Sequence, residues 1–230
     1  MQKYHQSGWL KRLSPGVFYR PAADDTSRPD WIDALVALNE QLQISVHLAG
    51  SSSLAHQGLG QYLSFEEGTV WVGAQQKQAL PKWFKEFANQ HWTISSNSRL
   101  TGLEEKDFIH LPIKGRSVKA STAELAAYEI AASVGKHISF EHAAELFQGL
   151  VNLSPRRVQS ILERSRAIQA SRVFLFLANY HQHAWLKHLD ESRIELGAGK
   201  RQVIVGGRLE GRYQITVPER FAFKVALHAE

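Results

Sequence analysis

The sequence predicts a mixed α/β chain, with a small N-terminal unit leading into one larger domain whose later half is mainly helical. Three observations carry this reading. Short strand-like runs such as TVWVG at 69–73 and FIHLPI at 108–113 alternate with helix-period segments, the pattern of strands and helices sharing one core. Beyond residue 120, four successive segments read as helices. Residues 22–29 form a polar stretch, bounded by Pro21 and Pro29, that suits a linker between residues 1–21 and 30–230.

The elements follow in order. Residues 2–13 read as the end of a helix and a turn, and KRLSPGVFYRP as a small hairpin, because Ser14-Pro15-Gly16 is a turn signal and Val17, Phe18 and Tyr19 favour a strand. Apolar positions 31, 32, 35, 36, 38 and 42 suit a helix packed on one side. A strand is expected at 45–48. Gly50 and three serines then open a helix at 54–58, with serine as its N-cap. Strands at 69–73, 92–95 and 108–113 surround a short amphipathic helix at 81–89. The helix expected at 121–132 begins S-T-A-E, a capping box in which Ser121 and Glu124 satisfy each other's backbone donors. Helices follow at 140–150, 154–167 and 171–181, the second with Ser154 as N-cap and Pro155 at its first position. Strands at 195–196, 203–205 and 213–217 complete a sheet, with Gly206-Gly207 as a hairpin turn. Neither an internal repeat nor a low-complexity tract is present.

A length of 230 residues suits one large domain with a small appendage, and 43% hydrophobic with 21% charged residues is an ordinary globular composition. No apolar run reaches the roughly 18 residues of a membrane helix, and MQKYHQSGW lacks the apolar core of a signal peptide. There is no cysteine, so disulfides and thiolate metal sites are excluded. The expected location is the cytoplasm, away from membranes. Charge is segregated. Residues 1–30 hold five Lys/Arg against three Asp/Glu, residues 31–153 nine against twelve, and residues 154–230 thirteen against seven. Clustered cations at both ends suit phosphate binding, whose affinity comes mainly from counterion release.

Catalytic chemistry finds no support. His181 and His183 are two apart and would point away from each other on a helix. No H-E-x-x-H or two-histidine-one-carboxylate pattern accompanies them, His188, or the pair His137 and His142, so neither metal nor cofactor is expected. His47, alone on a strand, reads as a satisfied core histidine. Gly197-Ala198-Gly199-Lys200 lacks the spacing of a phosphate loop and has Arg201 where Ser or Thr should stand. No nucleophile elbow appears, nor the paired carboxylates that hold two metals. The chain reads as a non-enzyme.

Two surfaces stand out instead. At the N-terminus, residues 2–8 suit a recognition helix bearing Lys3, Tyr4, His5, Gln6 and Ser7, and Lys11, Arg12 and Arg20 lie in or beside a hairpin wing. A hairpin that merely covers a sheet edge is the alternative. A lone helix of about seven residues is not stable in water, so it is expected either to pack on the main domain or to continue helices upstream. In the C-terminal part, Arg156, Arg157, Arg164, Arg166 and Arg172 sit on two successive helices, with 157 and 164 on one face. Lys187, Lys200, Arg201, Arg208 and Arg212 follow in the Gly-punctuated run 184–218. We expect Arg156, Arg157, Arg164, Lys187, Lys200, Arg201 and Arg208 to be exposed and close together. The alternative is an ordinary solvated face.

Three blocks also resemble the AbiEi family of antitoxins from type IV AbiE toxin–antitoxin systems. GWLKRLSPGVFYRP at 8–21 is similar to the wing of that family's N-terminal DNA-binding unit. VHLAGSSSLAHQGLGQYL at 46–63 resembles the start of its larger domain, and 184–218 resembles its C-terminal end. The blocks keep the family's order and span essentially the whole chain. The resemblance implies a partial winged helix-turn-helix that binds operator DNA at inverted repeats and represses the antitoxin–toxin operon. It further implies an antitoxic C-terminal domain that counters a nucleotidyltransferase toxin without a stable complex, in abortive-infection phage defence. Two other readings remain open. One is a transcription factor with a ligand-sensing domain, which needs a large apolar pocket in residues 30–150. The other is an RNA-binding protein that protects the toxin's target.

Overall fold

A computed structural model describes residues 10–21, 29–59, 68–74, 79–87, 90–96 and 99–226. The first element is the hairpin of β1 (Lys11–Ser14) and β2 (Val17–Tyr19), turned at Gly16 with a φ of 79° that favours glycine. The expected recognition helix and most of the expected linker lie outside the described residues. The hairpin does not stand alone. Val17 and Tyr19 are buried, and the Gln41 side chain accepts from the Phe18 N–H at 3.0 Å and donates to the Phe18 carbonyl. Gln41 caps α1 (Trp31–Glu40), so β2 is tied to the helix that follows the linker.

A five-stranded mixed sheet organises the rest. It comprises β3 (Val46–Leu48), β4 (Thr69–Ala74), β5 (His91–Ser96), β6 (Phe108–Ile113) and β7 (Arg116–Ser121), in the order β5-β4-β3-β7-β6. Pairings β3–β4 and β6–β7 are antiparallel, and β4–β5 and β3–β7 are parallel. Side-chain alternation divides the core between the two faces. Val70 and Val72 of β4 join Ile32, Leu35 and Leu38 of α1 and Phe84 of the one-turn helix α3 (Lys82–Lys85). Trp71 points the other way, toward α2 (Gly50–His56) and the helical half.

That half contains α4 (Ala123–Ser133), α5 (Phe140–Gln148), α6 (Pro155–Arg164), α7 (Ile168–Tyr180) and α8 (Glu219–Ala226). Helix α4 is buried almost all round because it lies between the sheet and the other helices, and α7 is equally enclosed. Phe140, Phe147, Phe174 and Phe176 interlock there, with Phe147–Phe174 and Phe140–Phe176 both edge-on. The predicted mixed α/β architecture with a helical later half is what the chain adopts. Among the described residues no helix is long and apolar enough to cross a membrane.

Several local expectations were wrong for identifiable reasons. Helix α2 starts at Gly50, four residues early, and its serines are internal rather than caps. They tie the helix to the sheet: Ser52 Oγ accepts from Trp71 N–H at 2.9 Å, and Ser53 Oγ donates to the Ser121 carbonyl at 2.7 Å. Strand β7 was not anticipated. It returns from β6 through Lys114 and Gly115, both at positive φ, as a primed hairpin turn requires. Ser121 therefore ends β7, and Thr122 caps α4 by accepting from Leu125 N–H. Glu124 does not close a capping box with Ser121; it accepts from Ser154 N–H at 2.9 Å. Residues 195–196 and 203–205 are not strands. The C-terminal pairing is β8 (Arg208–Leu209) with β9 (Thr216–Val217), and Gly206 turns the chain before β8. The loop between those strands is folded on Glu210, whose carboxylate accepts from Arg212 and Tyr213 N–H, each at 2.7 Å.

Candidate functional site

The hairpin carries the first group of cations. Arg12 and Arg20 are exposed and Lys11 is half-buried. Lys11 faces Tyr19 across the hairpin and Arg12 faces Phe18. Arg116 Nη2 donates to the Arg20 carbonyl at 2.7 Å and also meets Asp33 at 3.2 Å. The hairpin base is thus held against the β6–β7 turn while Arg12 faces solvent. Lys3, Tyr4, His5 and Ser7 lie outside the described residues.

Helix α6 carries the second group, and here the expectation of a bare arginine face is corrected. Arg157 and Arg164 do share one face, but that face is turned toward acids of the domain. Arg157 lies 3.8 Å from buried Glu124 and stays 56% exposed. Arg164 is only 17% exposed and grips Asp107 through two hydrogen bonds of 2.7 and 2.9 Å. It also donates to the Gly102 carbonyl. Burial would raise the Asp107 carboxyl. The Arg164 hydrogen bonds, the Glu104 N–H and the Arg164 charge outweigh burial and hold it below the ordinary carboxylate range. Arg164 is therefore a structural clamp between the end of α6 and the start of β6, not an open cation. Arg172 is likewise buried, donating to the carbonyls of Leu196, Gly197, Gly199 and Gln214 and so stitching the Gly-rich loop to α7.

Lys200, Arg201 and Arg208 gather around β9: Arg201 N–H donates to the Gln214 carbonyl at 2.8 Å, and Arg208 pairs with Val217. Lys200 and Arg208 are exposed and Arg201 is half-buried. Arg156 opens into a groove of about 760 Å³ between α6 and residues 188–193. Ser154, Pro155, Gln159, Ser160, Glu163, His188 and Arg193 complete its walls.

Part of that groove is internally satisfied. The Gln159 amide donates to the Asp190 carbonyl at 3.1 Å and accepts from Asp190 N–H at 2.9 Å. Glu163 takes Gln159 at 2.8 Å and both arms of Arg193, at 3.0 and 3.1 Å. Arg156 and His188 are exposed. The sequence reading named Arg156 and Lys187 for this region but missed the groove, because its second wall depends on how residues 184–193 fold back on α6.

The histidines are structural where they are buried. His47 bonds to Glu129 at 2.8 Å. His183 Nε2 bonds to the Phe147 carbonyl at 2.8 Å, with its ring stacked on Trp185. Burial lowers the His183 pKa, against a smaller rise from that hydrogen bond. Among the described residues no group of three or more His, Asp or Glu is placed to hold a metal ion.

Comparison with known proteins places the chain. A family model described as "Transcriptional regulator, AbiEi antitoxin, Type IV TA system" matches residues 67–218, and one described as the AbiEi antitoxin N-terminal domain matches residues 1–65. By family, then, the chain is a transcriptional regulator. More narrowly, it belongs to the AbiEi antitoxins of type IV toxin–antitoxin systems. The fold is shared with the Rv2827c protein from Mycobacterium tuberculosis in a crystal structure, with a TM-score of 0.65 at 15% identity over 100% of this chain and 82% of that one. No curated protein sequence matches the chain.

Proposed function

We propose that this protein is a bifunctional antitoxin that represses its own operon through the N-terminal unit and counters its toxin through the larger domain. The family match across both segments carries this reading. In the N-terminal unit, residues 2–8 supply a recognition helix and the β1–β2 hairpin supplies the wing, with Lys11, Arg12 and Arg20 on phosphates of operator inverted repeats. Residues 22–29 link this unit to the antitoxic domain, residues 30–230. The partner is a nucleotidyltransferase toxin, opposed without a stable complex and without catalysis by this chain, in cytoplasmic phage defence. Basic residues 156, 157, 187, 200, 201 and 208 are the candidate antitoxic surface, while Arg164 acts by holding α6 in place.

The ligand-sensing alternative calls for a large apolar pocket in residues 30–150. The pocket described there, lined by Trp31, Leu48, His56 and Gln90 among others, holds about 180 Å³, below the ~300 Å³ at which small-molecule sites begin. A test of the main reading is co-expression with the toxin encoded beside it, combined with a gel-shift assay on the operon's upstream DNA. Rescue of growth and a specific shift are expected, and absence of both removes the reading.

A further inference from the structure

The groove beside α6 has features that neither repression nor its own packing uses. Its floor is built: Gln159 clamps Asp190, and Glu163 neutralises Arg193. These bonds fix the two walls with their hydrogen-bonding capacity spent on each other. Arg156 and His188, on opposite walls, are different. Both line the groove and are exposed, and among the described residues no hydrogen bond or ion pair of either side chain is found. Lys187 adds an exposed cation next to His188. Glu124 of α4, at the N-terminus of α6, accepts from Ser154 N–H and faces Arg157, so the acid there is engaged on the Arg157 side and Arg156 is left toward the groove. The first turn of α6 holds no acidic residue. Apolar surface is also present, in the Pro155 ring and the faces of the His188 imidazole. Cations set around a preformed groove, with flat surfaces between them, are the recognition elements of single-stranded nucleic acid: charge follows the backbone and rings take the bases.

We infer that this groove binds a short segment of single-stranded nucleic acid, with Arg156 on a backbone phosphate and His188 against a base or a second phosphate. Its volume lies within the ~300–1,000 Å³ range of small-ligand sites. It therefore holds one or two nucleotides of a strand and not a duplex. The inference rests on the proposed antitoxic role of the larger domain and names the ligand class through which that domain acts. It also separates this surface from the hairpin, whose proposed partner is duplex DNA.

The test uses the full chain and a 5′-fluorescein-labelled ten-nucleotide single strand, followed by fluorescence anisotropy over a series of salt concentrations. Wild-type protein is expected to bind it. Arg156→Ala and His188→Ala should each weaken binding by about tenfold, since a hydrogen bond to a charged group is lost, and Arg156→Ala should lower the salt slope by about one. Both residues are exposed, so circular dichroism and melting temperature should match the wild type. Retention of duplex operator binding by the variants places the effect in the groove. Equal binding of the single strand by wild type and both variants overturns the inference, as does binding of ATP without binding of the strand. Toxin rescue by the wild type separates the two levels. If the wild type rescues but the strand does not bind, the groove assignment fails and the antitoxin reading stands. If the wild type does not rescue, the antitoxin reading fails whatever the groove binds.

Discussion

His47 Nε2 and Glu129 Oε1 lie 2.8 Å apart, 82 residues distant in sequence, with both side chains buried. The pair bolts β3 to α4. Glu129 is satisfied on its other oxygen as well, accepting from Gly50 N–H at 2.9 Å and from Ser121 Oγ at 2.8 Å. Four elements therefore meet at one carboxylate: β3, α2, β7 and α4. The space for His47 comes from its cross-strand partner Gly73, where a Cβ would stand 2.0 Å from His47 Nε2.

That geometry predicts two separable losses of stability. Glu129→Ala strands the imidazole, the Gly50 N–H and the Ser121 hydroxyl in a dry interior and should cost about 3–5 kcal/mol. Gly73→Ala should cost about 3 kcal/mol by displacing His47. Urea unfolding followed by tryptophan fluorescence measures both. A loss under about 1 kcal/mol for Glu129→Ala would mean that the pair does not hold the sheet to α4.

The Asp107–Arg164 clamp predicts an asymmetry among the α6 arginines. Arg164→Ala leaves a nearly buried carboxylate unpaired and should cost about 3 kcal/mol. Because Asp107 is held below its unfolded pKa, its contribution is fully present above the unfolded value and is lost as pH falls through the lowered one. Wild type should therefore lose stability in that acidic window, and Asp107→Asn should show a shallower decline there. Parallel pH profiles for the two proteins would remove Asp107 from the account.

Much of this fold was readable in order along the chain. The 108–113 strand, the helix beginning at Trp31 and the helix beginning at Pro155 are set by local signals, and they appear where those signals lie. What failed depended on contacts from far away. Ser121 looks like a cap, but β7 claims it, because its carbonyl and hydroxyl are taken by Ser53 and Glu129. Arg164 looks like a solvent arginine, since nothing in the α6 sequence reveals that Asp107 waits 57 residues upstream. The strand expected at 195–196 dissolves because Arg172 takes the carbonyls of Leu196, Gly197 and Gly199, and at 203–205 the Thr216 hydroxyl accepts from Val203 and Ile204 N–H and donates to the Ile204 carbonyl. His47 was read correctly as a core residue, yet its partner could not be named from spacing alone.

A second pH dependence comes from His183. Burial depresses its pKa below the ordinary 6.5, and His56 is shifted the same way by burial and by Lys114. The unfolded chain then binds protons that the folded chain refuses, so stability is full above about 6.5 and declines as pH falls toward the lowered values. Chemical denaturation at pH 7.5 and 5.5 should show the drop in wild type and a smaller one in His183→Gln. The same drop in both proteins would assign it elsewhere.

The proposed wing makes a kinetic and ionic prediction. If Lys11 and Arg12 contact phosphates, their replacement by alanine should weaken operator and unrelated duplexes alike and lower the salt slope by about one per lost contact. Single-strand binding by the groove should not change. Weakening confined to the operator sequence would instead assign these residues to base recognition.

Antitoxicity should divide the basic residues by what each one touches. Lys200 is exposed, so Lys200→Glu should shift stability by less than roughly 0.5 kcal/mol, whereas Arg157→Glu turns a carboxylate toward buried Glu124 and should cost about 1 kcal/mol. Arg164→Glu sets a like charge against Asp107 and should unfold much of the protein at growth temperature. Loss of rescue by Arg164→Glu therefore says nothing about a surface unless the soluble, folded amount is measured alongside it. Loss of rescue by a folded Arg157→Glu protein supports an antitoxic face on α6, and intact rescue reduces Arg157 to the neighbour of Glu124. The hairpin needs the same separation. Lys11→Ala with Arg12→Ala should leave rescue intact, whereas deleting residues 1–20 uncovers the α1 surface packed by Val17 and Tyr19 and removes the partner of Gln41. That deletion should lower the melting temperature. Rescue by whatever remains folded is the outcome expected if the larger domain carries the activity. Loss of rescue by the double alanine variant, with its fold and amount unchanged, would place antitoxic function in the wing and end the proposed division of labour.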